Sequence, residues 1–317
     1  MKPPRPAPPF SRMLVAALFA LFLTGLPRAL PATRHQPKSD VSGPVLIYDY
    51  PPGQGLPIHF RLADGGPKGD PAAARLRLSG SSECDAPGLD NLARFLPGPL
   101  TVVDLRQESH GFLNDRPVSW YGPKDEANMG KTPEEAARDE ADRLAALAKA
   151  GTTEVTVIEA KSKDGGIKKS HVLDVDVTSV ASEAQLTAAR QIGYLRLFVT
   201  DDMAPDAAQV DRFVEYCRTM APGMWIHVHC HAGDGRTTTF MVLYALLHNP
   251  TGQSLEKIAA AQAAAGGVDL VGQAKKHWKK DLYLARVDFL RRFAAYATAN
   301  PGGGPQTFSQ WLAAQPR

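Results

Sequence analysis

Cys230 and Arg236 are separated by five residues in the run His229-Cys230-His231-Ala232-Gly233-Asp234-Gly235-Arg236-Thr237. A thiol and a guanidinium held across a short glycine-containing loop are suited to phosphoryl transfer. The loop residues His231, Ala232, Gly233, Asp234 and Gly235 can turn their backbone N–H groups inward as a cradle for phosphoryl oxygens, and a helix starting there adds partial positive charge. Arg236 closes the cradle with a planar fork that binds two oxygens and offsets charge growing in the transition state; a lysine presents only a point charge. The same field favours the thiolate of Cys230, the form in which cysteine is a nucleophile. Thr237 is placed to hydrogen-bond that sulfur, and His229 supports the loop from the preceding residue. A chance Cys-x5-Arg in a core turn is the competing explanation. It does not account for two loop glycines, a buried strand before the loop and an apolar helix after it.

Such a reaction needs an acid to protonate the leaving alkoxide, then a base to activate water on the phosphorylated cysteine. Thr200-Asp201-Asp202-Met203-Ala204-Pro205 lies directly upstream of the nucleophile strand. Asp201 is the expected acid and Asp202 the alternative. Aspartates ahead of a helix also serve as N-caps, a role better suited to Asp206.

The elements that must position these groups follow from periodicity and capping. A buried strand is expected at 100–105, a helix opening on Thr132-Pro133-Glu134-Glu135, and a hairpin pairing 155–158 with 171–177 around Asp164-Gly165-Gly166. Helices at 182–191, 206–220, 237–248, 254–265 and 279–297 and strands at 194–199 and 224–228 complete the pattern. This alternation implies a layered α/β sheet with helices on both faces. Residues 45–78, rich in Pro and Gly, are expected to join 151–178 in a small β insertion. Residues 79–150 and 179–317 are left for the core. Lys2, Arg5 and Arg12 precede an apolar run at 13–23 and a small-residue end at 29–32, which reads as a signal peptide over 1–32. The run is shorter than the ~20 residues a membrane span needs. A polar linker at 33–44 follows, and the expected location is the periplasm or the exterior. The formal charge of +3 on 317 residues, with 44% apolar and 22% charged residues, argues against a nucleic-acid partner, so anion binding must be local. Three cysteines exclude a disulfide scaffold; Cys84 and Cys217 either pair in an oxidising compartment or serve as small buried hydrophobes.

These residues resemble the cysteine phosphatase superfamily and, within it, the protein-tyrosine-phosphatase-like phytases. The likeness covers most of the mature chain. Its marks are Asp104-Leu105-Arg106-Gln107-Glu108-Ser109-His110-Gly111-Phe112-Leu113-Asn114, Trp120-Tyr121-Gly122, Thr200-Asp201, the Cys230 loop and Trp278-Lys279. The resemblance implies a phosphatase α/β core with an inserted small β-barrel, no metal or cofactor, and hydrolysis of anionic inositol polyphosphates such as phytate through a cysteinyl-phosphate. A protein-tyrosine or phosphoinositide phosphatase is the alternative. No stable membrane association is expected after signal cleavage. Carried over by position, Cys230 is the nucleophile, Arg236 binds phosphate and Asp201 is the acid. Substrate contacts fall on Arg61, Glu108, Asp125, Lys163, Lys279, Tyr283 and Arg286, with Asp202 beside the acid. Lys279 and Arg286, two helical turns apart, share a face with Tyr283. Arg106 and His110 are expected instead in a buried ion network. Three departures bear on substrate choice: Met203-Ala204 replaces an aromatic that relatives often carry, Ser162 stands where they can place a histidine, and Asp234 puts a carboxylate on the cradle's rim, where it repels anions.

Overall fold

Alternation along Leu100–Arg106 sets the architecture. Leu100 and Val102 pack into one apolar cluster with Leu89, Leu92 and Leu186. Val103 and Leu105 pack into another with Phe213, Val228 and Phe240. A strand buried on both faces belongs between two helical layers. The computed structural model describes residues 33–34, 43–51, 53, 55–64, 75–123, 127–163, 165–249, 251–272 and 279–316. The expected signal peptide, most of the expected linker, Asp125 and Trp278 lie outside them.

In chain order the strands are β1 (Thr33–Arg34), β2 (Val45–Tyr48), β3 (Arg61–Leu62), β4 (Leu78–Ser82), β5 (Leu100–Arg106), β6 (His110–Leu113), β7 (Arg116–Tyr121), β8 (Thr152–Lys161), β9 (Ile167–Asp176), β10 (Val180–Ala181), β11 (Gly193–Val199) and β12 (Trp225–Cys230). The helices are α1 (Ala86–Phe95), α2 (Pro133–Lys149), α3 (Glu183–Ala188), α4 (Ala207–Thr219), α5 (Gly235–Leu247), α6 (Leu255–Ala264), α7 (Lys280–Ala299) and α8 (Phe308–Ala313). Five strands form one sheet in the order β11-β5-β12-β4-β3, parallel except for the β3–β4 pair. Helices α1 and α3 cover one face, while α4, α5, α6, α7 and α8 build the larger cluster on the other. Capping decides several boundaries. Thr132 and Glu135 form a reciprocal capping box on α2, Ser182 and Gln185 one on α3, and Asp206 caps α4.

The second sheet has seven strands in the order β1-β9-β8-β2-β7-β6-β10. Its neighbours are antiparallel except β2 and β8, and α2 packs Leu144 and Leu147 against it. This sheet corrects the expected barrel: β1 and β10 end the order unpaired with each other, so the described strands stay open. Three of its members, β6, β7 and β10, come from the ranges assigned to the core. Strands β6 and β7 turn on Asn114 and Asp115, both at positive φ (54° and 65°), as a two-residue type I′ hairpin requires. Meanwhile β3 pairs with the other sheet.

Strand β4, Leu-Ser-Gly-Ser-Ser, is fully buried despite its polarity. Ser79 and Ser81 each place a hydroxyl 3.0 Å from one ring nitrogen of His227, which burial holds neutral by pulling its pKa down to about 3. At Gly80 a Cβ would lie 2.6 Å from the Met241 sulfur and 2.8 Å from Thr237 Cγ2, so only glycine lets β4 meet α5. Cys84 and Cys217 are both free thiols. Cys217 is buried in one cluster and Cys84, partly buried, packs against the other on the opposite face of the sheet, so they serve as small packing groups rather than a bridge. Among the described residues no helix is long and apolar enough to cross a membrane.

Candidate active site

Strand β12 lies between β4 and β5 and delivers Cys230, 2% exposed, to the carboxyl edge of the parallel sheet. The loop that follows is fastened from outside by its carbonyls. His231 O accepts from Tyr50 Oη at 3.0 Å and from the Glu83 N–H at 3.1 Å. Ala232 O is 2.8 Å from His59 Nδ1, and Gly233 O accepts from Arg61 Nη2 at 2.8 Å. With successive carbonyls drawn outward, the N–H groups remain for an anion inside the turn. Gly233 is required twice over: its φ is +77°, and a Cβ would lie 2.4 Å from Ser82 N. Helix α5 then begins at Gly235. Its N-cap Asp234 makes no side-chain cap bond, so the first-turn N–H groups stay available to a ligand. Every residue from Arg236 to Leu247 is buried, which fixes the helix terminus rigidly. Thr237 Oγ1 donates to Cys230 Sγ at 3.2 Å.

Arg236 is 2% exposed and held in the orientation of a fork. Its Nη1 and Nη2 donate to Glu108 Oε2 and Oε1 at 2.8 and 2.9 Å, and Nη1 also donates to Val199 O at 3.0 Å. Nη2 reaches Asp201 Oδ1 at 3.0 Å. Asp202, next along, has φ +62° and turns away: its carboxylate pairs with Lys279, and its carbonyl accepts from Arg286 Nη2. Of the two candidate acids, Asp201 therefore faces the cysteine loop. Arg286 lies against Gly235 so closely that a Cβ there would sit 3.0 Å from its Nη1.

Beneath the loop lies a buried ion network. Arg106 bonds Asp49 Oδ2 at 2.6 Å, Glu83 Oε2 at 3.3 Å and Glu108 Oε1 at 2.9 Å. His229 Nε2 lies 3.0 Å from Glu183 Oε1, and His110 Nε2 lies 3.2 Å from Asp104 Oδ2. Burial alone would favour neutral His229, but Glu183 and then Glu83 overcome it and push its pKa up to about 10. Glu83 moves the other way from an ordinary carboxylate. Burial and the like charge of Glu183 raise it to about 7. Burial opposes ionisation of Glu108 too, yet Arg236 and then Arg106 hold it below the usual carboxylate range. Two trios, Glu83 with His110 and Glu183, and Asp104 with Glu183 and His229, bring potential metal-ligand atoms within 4.8 Å of one another. The charge a cation would bring is already supplied there by imidazolium and guanidinium groups.

A family model for PTP-like phytases, described as "Inositol hexakisphosphate", matches residues 103–248. The structure of a PTP-like phytase from Bdellovibrio bacteriovorus aligns over 90% of this chain and 100% of that one, at 32% identity and a TM-score of 0.66. This chain belongs to the PTP-like phytase family. The structure of the PTP-like myo-inositol phosphatase from Mitsuokella multacida, in complex with myo-inositol-(1,3,4,5)-tetrakisphosphate, aligns over 88% of this chain at 32% identity and a TM-score of 0.75. Effector protein hopD2 of Pseudomonas syringae pv. tomato is 30% identical over 68% of this chain. The chain spans about half the length of these last two proteins, 50% and 46% respectively.

In this chain the expected nucleophile, arginine and acid converge, and Lys279 and Arg286 both reach the 201–202 segment. Tyr283 turns its hydroxyl to Gly272 O at 2.8 Å. Lys163 stands exposed on the β8–β9 turn and belongs to none of the ion pairs described above. Arg61 and Glu108, expected as substrate contacts, are 3% and 1% exposed. The structure gives them supporting roles, because the fork of Arg61 is committed to Gly233 O and Thr238 Oγ1 and the carboxylate of Glu108 to two arginines. Arg106 and His110 take the buried network role expected of them. Sequence reasoning missed Tyr50, His59, Glu83 and Glu183. The signal was slight: a His-x-Arg pair in a Pro- and Gly-rich stretch, and isolated carboxylates flanking a strand and a helix.

Proposed function

We propose that this chain hydrolyses phosphomonoesters of myo-inositol polyphosphates through a cysteinyl-phosphate intermediate. The observation that carries the reading is a thiol at the mouth of a carbonyl-fastened loop, 3.2 Å from a hydroxyl donor, beside an arginine pre-oriented by a bidentate carboxylate. Sγ attacks phosphorus while the bond to the leaving oxygen breaks, and Asp201 gives its proton to the departing alkoxide. Asp201, now a carboxylate, takes a proton from water, whose oxygen attacks phosphorus and releases the Cys230 thiolate. Arg236 and the loop N–H groups stay bonded to the equatorial oxygens throughout, strongest where charge spreads in the transition state. An incoming phosphate competes with Asp201 for Arg236 Nη2, freeing the acid as the site fills. The inositol phosphate bound in the Mitsuokella protein supports this substrate class, and Arg286 and Lys279 beside the site suit a polyanion. We also propose export directed by residues 1–32 and action outside the cytoplasm without nucleic-acid or membrane partners; N-terminal sequencing of the exported protein checks it.

Phosphate release from inositol hexakisphosphate and from a phosphotyrosine peptide, compared between the unmutated chain and Cys230→Ser, tests the reading. Release from the inositol substrate that disappears in the variant is the expected result. Activity confined to the peptide would replace it with a tyrosine phosphatase.

A further inference from the structure

His59 holds a left-handed backbone conformation, φ +56°, which a residue with a Cβ adopts only when its surroundings impose it and which often marks function. The turn around it is fastened. Phe60 N–H donates to Pro57 O at 3.1 Å, Ile58 O accepts from both the N–H and the hydroxyl of Ser82 at 2.9 Å, and His59 O accepts from Arg61 Nη1 at 3.1 Å. So held, the imidazole reaches the phosphate loop, with Nδ1 2.8 Å from Ala232 O and 3.5 Å from Asp234 Oδ1. A carbonyl oxygen only accepts, so Nδ1 is the ring nitrogen that donates and Nε2 is the one left to face the rim. Nε2 has no protein partner among the described residues. The His59 and Asp234 side chains are 50% and 47% exposed, at the rim where substituents of a bound substrate pass.

The charged side chains beside this imidazole are Asp234 of the loop, 3.5 Å from Nδ1, and Arg61 of its own turn. Arg61 is turned away, onto Gly233 O and Thr238 Oγ1. With His59 neutral, Asp234 presents an uncompensated negative charge to the substrate. With His59 protonated the pair is neutral and offers an Nε2–H donor. We propose that His59 is a substrate-binding residue for phosphate groups neighbouring the scissile one, and that with Asp234 it makes the rim accept polyanions when the imidazole is protonated. This rests on the polyphosphate reading above and names a specificity residue within it.

Binding of inositol hexakisphosphate is measured calorimetrically in a Cys230→Ser background, where turnover is blocked. It is compared with the same background carrying His59→Gln or Asp234→Asn, at about pH 5.5 and about pH 7.5, the span over which imidazoles titrate. Glutamine keeps an N–H for Ala232 O but cannot charge. Loss of one exposed charge-assisted bond predicts binding weakened about fivefold at the lower pH and less than about twofold at the higher. Asp234→Asn is expected to tighten binding about fivefold, chiefly at the higher pH. A His59→Gln effect that is equal at both pH values, or absent, overturns the proposal. Asp234→Asn leaving affinity unchanged overturns it as well, and this exposed substitution carries the test if His59→Gln fails to fold. Failure of the functional reading is separate: it is the unmutated chain releasing no phosphate while binding and its pH dependence stand.

Discussion

Replacing Glu108 by glutamine tests whether a buried carboxylate is what aims Arg236. Glu108 accepts three charge-assisted bonds, two from Arg236 and one from Arg106, at 2.8 to 2.9 Å, in a site 1% exposed. The amide keeps one acceptor oxygen and turns an NH2 group toward guanidinium donors, so at least one bond is lost and each of two buried cations loses one of its counter-charges. Breaking a buried pair costs about 3–5 kcal/mol. With one oxygen retained, we expect Glu108→Gln to lower the unfolding free energy by about 2–4 kcal/mol in denaturant titration. Freed from Glu108, Arg236 turns toward Asp201, already 3.0 Å away, and leaves the equatorial oxygens less well bonded. Loss of preoriented charge stabilisation corresponds to a fall of about 10²–10³ in kcat. p-Nitrophenyl phosphate is the substrate to use, since it carries no phosphate other than the reacting one. A variant with kcat within about threefold and an unchanged unfolding midpoint would refute the reasoning.

Thr237→Val keeps shape but removes the donor to Cys230 Sγ, and we expect kcat to fall about tenfold with little change in stability, read by steady-state kinetics and thermal melting. Gly233→Ala forces a Cβ onto the Ser81–Ser82 backbone at positive φ; loss of more than about 2 kcal/mol of stability and near-complete loss of activity are expected, and a well-folded active variant would show the loop to be looser than described. Because His229 binds its proton more tightly when folded, its contribution to stability is complete below about pH 6.5 and fades as pH rises toward about 10. Glu83, raised to about 7, adds a decline of the same sign between about pH 4.5 and 7. Chemical denaturation should therefore show unfolding free energy falling above neutral pH, by at most ~1.4 kcal/mol per pH unit for one proton, and His229→Asn should flatten the alkaline part.

What could be read from the chain alone followed locality. Strand, loop and helix around Cys230 are consecutive, so their periodicity and glycines announced them. The orientation of Lys279 and Arg286 followed from helical spacing. Asp201 is the expected acid, with Asp202 left open; what separates them is the positive φ of Asp202, which turns its carboxylate to Lys279 and which no sequence pattern announces. The supports did not come through. Tyr50, His59 and Arg61 meet the loop from about 170–180 residues away, and no pattern near them names their partner. Glu108 is a carboxylate whose role depends entirely on which arginines surround it. Strand β4 hid because serines and glycine, which satisfy His227 and admit α5, carry no strand signature. The seven-stranded sheet departed from the expected barrel because the Asn114-Asp115 turn folds 110–121 back into a hairpin that joins β2, a pairing set by turn chemistry rather than by the extended apolar runs.

Turnover should pass through covalent phosphorylation of Cys230. Acid-quenching the enzyme during turnover of p-nitrophenyl phosphate, which needs little help from an acid to leave, and mapping peptides by mass spectrometry tests it directly. One phosphoryl group is expected on the peptide bearing Cys230, accumulating further in Asp201→Asn, where water attack is slowed, and absent in Cys230→Ser. Phosphate release that persists in Cys230→Ser, or an adduct on another residue, would contradict it.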